Sequence, residues 1–148
     1  MIKETIEFSL EYKKTHGKSI VGILKDEGVS IIEDEIGDIV SYTIKIRDKN
    51  IIVIDENLDE IEYNFVLCHE FYHILKHDEV NRCFSNIMGT DRFEIEANIF
   101  ATIFLNLGNF MDNNTRINRT INSTISVIKN AVISVSYTHL TLPTTERV

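Results

Sequence analysis

Residues 59–77 read Asp-Glu-Ile-Glu-Tyr-Asn-Phe-Val-Leu-Cys-His-Glu-Phe-Tyr-His-Ile-Leu-Lys-His. The stretch holds no glycine or proline, and Ile61, Phe65, Tyr72 and Leu75 recur at spacings of three, four or seven, which predicts a helix with one apolar side. Within it, His69 and His73 lie four apart and share a face, one turn from each other. Two imidazoles so placed can converge on one zinc ion at about 2.0–2.1 Å each. Glu70 points about 100° around the helix from His69, beside such an ion, where its carboxylate can take a proton from water.

A catalytic metal needs a third protein ligand and one open position. His77 lies on the same face, but two steps of four residues put it about 12 Å from His69 along the axis, so one ion cannot take all three. His77 is therefore expected at the rim, behind a ligand as its hydrogen-bond partner, or simply in solvent. His16 has no supporting pattern, and His139 lies in an atypical tail. The better candidates are carboxylates in Glu94-Ile95-Glu96-Ala97-Asn98. Glu94 and Asn98 share a face that Ala101 extends, and small residues there allow a close approach to the His69–His73 helix. Glu94 is the first candidate, and Glu96, about 200° around the helix, is its rival. Asp91 with Glu94 also fits a capping box, a role that competes with ligation. Asn98 is placed to hydrogen-bond a ligating histidine.

Upstream, Ile2, Ile6 and Leu10, with Phe8 nearby, predict a helix over 2–15, and a second helix over 20–25 ends at Gly28. The period then changes to that of strands at 29–33, 40–46 and 51–54, with turns at Gly37-Asp38 and Asp48-Lys49-Asn50. Residues 40–46 alternate apolar with polar, as a half-buried strand should, and the three strands are expected to form one antiparallel sheet. Downstream, residues 78–90 read as a loop, a helix starts at Asp91, Asp112-Asn113-Asn114 breaks it, and Ile117, Ile121, Ile125 and Ile128 mark a last helix. The fold class is α+β, with a small antiparallel sheet packed on helices that include the His69–His73 helix.

The 148 residues suit one domain, and 43% hydrophobic with 26% charged residues excludes collagen, coiled coil and wholesale disorder. A net charge of -8 argues against a nucleic-acid-binding surface, which needs a basic stripe. No apolar run reaches the roughly 18 residues of a membrane helix, and the N-terminus carries acids where a signal peptide is apolar. Cys68 and Cys83 are read as free thiols of a cytoplasmic protein, Cys68 as a small core residue. Composition shifts near the end: the only proline, Pro143, falls in the last dozen residues, which resemble translated adapter sequence. The domain is therefore set at 1–135, with 136–148 as a non-native tail and the natural C-terminus missing.

His-Glu-x-x-His followed by Glu-x-x-Ala-Asn-x-Phe-Ala, here His69–His73 and Glu94–Ala101, resembles the ImmA/IrrE metallo-endopeptidases over roughly residues 15–110. The resemblance implies a minimal zincin-like fold, one zinc held by His69, His73 and Glu94, and Glu70 as the catalytic acid/base. It also implies a protein substrate, a helix-turn-helix repressor of a mobile element or stress response. Tyr72 stands where the family often has glycine, and the proline usual after Phe-Ala is missing from Thr102–Gly108. Tyr72 is expected to pack against the sheet, with crowding the cleft or donating a hydroxyl to the site as alternatives; His77 is another possible donor. A substrate strand is expected to add along Ser41–Ile46. The rival reading is a module that binds such a repressor without cutting it, with zinc structural. Manganese or iron would also suit the ligand set.

Overall fold

The structure, a computed structural model, describes residues 2–76, 87, 89, 91–109 and 112–138, with side chains through 133. His77, Cys83 and His139, most of the 78–90 loop and residues 139–148 lie outside the described residues. The described elements run α1 (Ile2–Thr15), α2 (Ile20–Asp26), β1 (Ser30–Asp34), β2 (Ser41–Ile46), β3 (Lys49–Asp55), α3 (Glu60–Lys76), α4 (Arg92–Phe104) and α5 (Arg116–Thr138). This is an α+β arrangement, and no described helix is long and apolar enough to cross a membrane. The last helix continues past 135 into the segment that composition sets apart.

The sheet is mixed, not antiparallel. Its order is β1-β3-β2, with β1 parallel and β2 antiparallel to β3. The link from β1 to β2 crosses the C-terminal end of β3, where Asp55 N donates to Val40 O and Glu56 N to Asp34 O, both at 2.9 Å. Strands adjacent in sequence are therefore not all neighbours in the sheet, and β2 with its links serves as the crossover that a parallel pair requires. The hairpin turn also falls earlier than the sequence suggests. Arg47 and Asp48 carry φ of 51° and 66°, and Ile46 pairs with Lys49, which is a two-residue turn with both central residues left-handed.

The faces of two elements differ from the periodic reading. In β2, Ser41 is only 2% exposed while Ile46 is 52% exposed. Ser41 and Thr43 pair with Ile54 and Ile52, the strand's inward positions, so its polar face looks toward α3 and its apolar face outward. In α1, Leu10 is 55% exposed and the buried positions are Thr5 and Ser9, the serine hydroxyl donating back to the Thr5 carbonyl at 2.7 Å. Phe8 and Tyr12 share that side and meet α4 at Phe100.

α3 is buried on every side from Phe65 to His73, because the sheet, α2 and α4 all pack on it. Ile61 and Leu75, at its two ends, are 42% and 37% exposed, so the long apolar stripe expected from spacing is not the buried surface. Phe100 is the hub of an aromatic cluster, with ring centroids 5.2–6.4 Å from Phe8, Tyr12, Phe71, Tyr72 and Phe104. Phe100→Ala is expected to cost about 3–5 kcal/mol in urea unfolding, a large part of a typical domain's stability. Asp48→Gly should move the urea midpoint the other way, by about 0.5 kcal/mol, because glycine adopts the left-handed conformation without strain.

Candidate metal centre

α3 opens on a complete capping box. Asp59 N donates to Glu62 Oε1 at 3.1 Å, and Glu62 N donates to Asp59 Oδ1 at 2.9 Å. α4 opens on the same spacing. Asp91 is its N-cap and accepts from Glu94 N at 3.1 Å, and the Glu94 carboxylate reaches the histidines of α3. Capping and metal approach therefore do not compete.

Glu94 Oε1 lies 2.9 Å from His69 Nε2 and 3.0 Å from His73 Nε2, and the two Nε2 atoms are 3.2 Å apart. All three side chains are buried. Asn98, one turn after Glu94, fixes the proton on His69. Its Nδ2 donates to the Ile87 carbonyl at 2.8 Å, and a carbonyl can only accept. That orientation turns Oδ1 toward His69 Nδ1 at 2.7 Å, so Nδ1 carries the proton and donates it. Nε2 of His69 is then a bare lone pair facing a carboxylate oxygen. Burial holds His73 below its usual pKa of 6.5, against the opposing effect of its hydrogen bond to Glu94, and the neighbouring His69 lowers it further. His69 Nε2 and the Glu94 carboxylate thus present lone pairs to each other in an enclosed space, a repulsive contact that a cation relieves.

The donor set fits that cation. Two imidazole nitrogens and one carboxylate oxygen gather within bonding range of a common point. Their 2.9–3.2 Å separations approach the edge of about 3.3 Å expected of a tetrahedron with bonds near 2.05 Å. Glu70 neighbours the centre and is electrostatically felt by His73. Ser41 Oγ donates to its Oε2 at 2.6 Å and Thr43 Oγ1 to its Oε1 at 2.8 Å.

The IrrE N-terminal-like domain model, Peptidase_M78, matches residues 24–107. The chain belongs to this family. The matched span runs from the end of α2 through α4 and contains all three donors, Glu70 and Asn98. Neither a curated protein nor a solved structure matches the chain at a significant level.

Other residues weighed from the sequence lie elsewhere. Glu96, the rival to Glu94, pairs with Arg92 at 3.5 Å and stands outside the donor group. Tyr72 packs on Phe8 and Phe100, and its hydroxyl is hydrogen-bonded to Thr5 of α1. Cys68 is a fully buried free thiol whose pKa burial pushes up. His16 is exposed and stacks on Tyr12. The sequence reading missed Ser41 and Thr43. Their alternation in 41–46 was visible, but the apolar set of the same strand pointed to the opposite face.

Removing the Asn98 amide frees the ring of His69, and Asn98→Ala is expected to weaken metal binding about 10–100-fold in a chelator competition titration. Asn98→Asp keeps an acceptor for Nδ1 and should stay near the parent affinity, while leaving the Ile87 carbonyl without its donor at a cost of about 1–3 kcal/mol in stability. For the metal-free chain, the lowered His73 pKa means that the unfolded state binds the extra proton first. Its contribution to stability is therefore present above pH 6.5 and lost as pH falls through the lower folded value. The urea midpoint of metal-free protein should drop between pH 7.5 and 5, and His73→Gln should flatten that drop.

Proposed function

We propose that this chain is a zinc endopeptidase with a minimal zincin-like fold, binding one zinc through His69, His73 and Glu94. The observation that carries this reading is the convergence of the three donors, with the His69 tautomer set by Asn98, beside a second buried carboxylate on the same helix. Membership in a peptidase family supports it. Zinc held there supplies Lewis acidity toward a peptide carbonyl and lowers the pKa of water.

Glu70 takes the proton of the attacking water and returns it to the leaving amine nitrogen. Each of its oxygens accepts a hydroxyl hydrogen bond, from Ser41 and Thr43, which orients the carboxylate. Asn98 keeps His69 Nδ1 protonated throughout, so the imidazole does not divert the proton. β2 is an edge strand beside Glu70, and an extended substrate adds along Ser41–Ile46 by backbone pairing. The substrate is a protein, a helix-turn-helix repressor of a mobile element or stress response, encountered in the cytoplasm; the acidic surface suits a basic protein partner better than nucleic acid.

The test is a lysate from the source cells treated with zinc-loaded protein, followed by labelling of new peptide N-termini. The expected result is a small set of new termini in a repressor, reduced at least 100-fold by Glu70→Gln, with zinc content unchanged at one per chain. Equal cleavage by Glu70→Gln would overturn the assigned role. Capture of a repressor without new termini would favour a non-cleaving binding module.

A further inference from the structure

α5 differs in charge from the rest of the chain. The sequence holds 23 acids against 15 bases, yet from Asn113 to Thr138 it has Arg116, Arg119 and Lys129 and not one Asp or Glu. The first turn of α5 carries no acid, and two cations stand at the positive end of its dipole, where carboxylates are the favoured residues. The nearest preceding acid in the sequence, Asp112, accepts from Asn114 N at 2.9 Å, and the cap is neutral, Thr115 Oγ1 accepting from Asn118 N at 3.0 Å. Among the described residues neither arginine forms an ion pair. The one hydrogen bond described for either guanidinium is a long one, from Arg119 to the Asn113 carbonyl at 3.4 Å.

Both arginines line a half-open pocket of about 380 Å³ between α4 and α5. Thr120, Ser123 and Val127 line it too, at spacings of four, seven and eleven from Arg116, and so share one face of the helix. Arg116, Arg119 and Ser123 are exposed at the rim, whereas Val127 and, from α4, Ile95 are half-buried and form an apolar wall. The volume is that of a small-molecule site. Guanidinium forks match phosphate and carboxylate oxygens, and hydrogen bonds to such charged groups are the strong ones. The complement of this pocket is therefore an oxyanion joined to an apolar body.

We propose that the pocket between α4 and α5 binds a small amphiphilic anion, a phosphate ester or a carboxylate, whose oxygens meet Arg116 and Arg119 and whose apolar body lies against Ile95 and Val127. The site uses none of the three metal donors and does not depend on the reading of the metal centre. A bound anion offsets the two like charges at the start of α5, so ligand binding also stabilises the fold.

The test is calorimetric titration of the full chain with phenyl phosphate and, separately, benzoate. Benzyl alcohol is the neutral control, and circular dichroism checks the fold of each variant. Saturable uptake of one equivalent is expected for at least one of the two anions, and none for the alcohol; which anion binds more tightly names the head group. Arg116→Gln/Arg119→Gln should weaken binding at least about ten-fold. Arg116→Lys/Arg119→Lys, which keeps the charge without the fork, should lose less. Without ligand, the glutamine variant should hold or slightly raise its urea midpoint, because it removes cations from the positive helix end. A lowered midpoint would make the arginines structural and overturn their assignment to a ligand. Saturation by neither anion overturns the proposal. So does binding that the glutamine variant leaves unchanged, since that binding belongs to another site, the metal centre included.

Discussion

Asn98 decides which nitrogen of His69 is bare, and much of the molecule is arranged around that decision. One amide satisfies two groups at once: it donates to the Ile87 carbonyl and accepts from His69 Nδ1. The result couples α4 and the segment before it to α3 through buried hydrogen bonds, which are strong in a low-dielectric interior and costly to leave half-made. The two helices carry matching four-residue spacings, 69 with 73 and 94 with 98. Each places one turn of polar side chains against the other. Ala97 and Ala101, both fully buried, belong to the α4 surface in the core, and their small side chains let the backbones approach.

The two capping boxes show how the same local chemistry is used differently. At α3, Asp59 and Glu62 satisfy each other, and the helix start is closed electrostatically. At α4, the aspartate caps the helix and the glutamate reaches the histidines. The single Asp91 bond is enough to start the helix, because α4 is held mainly by the aromatic cluster around Phe100 and by its packing on α1 and α3.

The helices, their approximate ends and the donor spacing were legible in the sequence, since they depend on periodicities of three to four residues and on local caps. Long-range choices were not. The direction of β1 relative to β3 is set by a link that crosses the end of β3, which no local pattern encodes. The exposed Leu10 and buried Ser9 of α1 reflect which partner arrives, in this case Phe100 on α4, rather than the helix's own apolar moment. α3 misleads for a related reason: a helix enclosed on all sides has no single apolar face, so Ile61 and Leu75 lie at its exposed ends although the spacing includes them. The His69–His73 and Glu94–Asn98 pairs were readable because each is a within-helix spacing. Only their meeting is tertiary. The Glu70 hydroxyl partners were hidden because a strand's inward face was judged by hydrophobicity.

That inversion of β2 follows from what lies above it. A buried carboxylate on α3 cannot face an apolar strand without a large desolvation cost, and the nearest inward positions on the sheet edge are those of residues 41 and 43. Filling them with hydroxyls gives Glu70 two donors, but strict alternation then sends Tyr42, Ile44 and Ile46 to the other face, where Ile46 is 52% exposed. The exposed Ile46 is the counterpart of that choice, and the central β3 can still bury Ile52 and Ile54 inward because it is flanked on both sides. At the edge that touches Glu70 the polar face of β2 is the one turned inward. That inward polar face marks the carboxylate, rather than the sheet's own stability, as the constraint that set the orientation of β2.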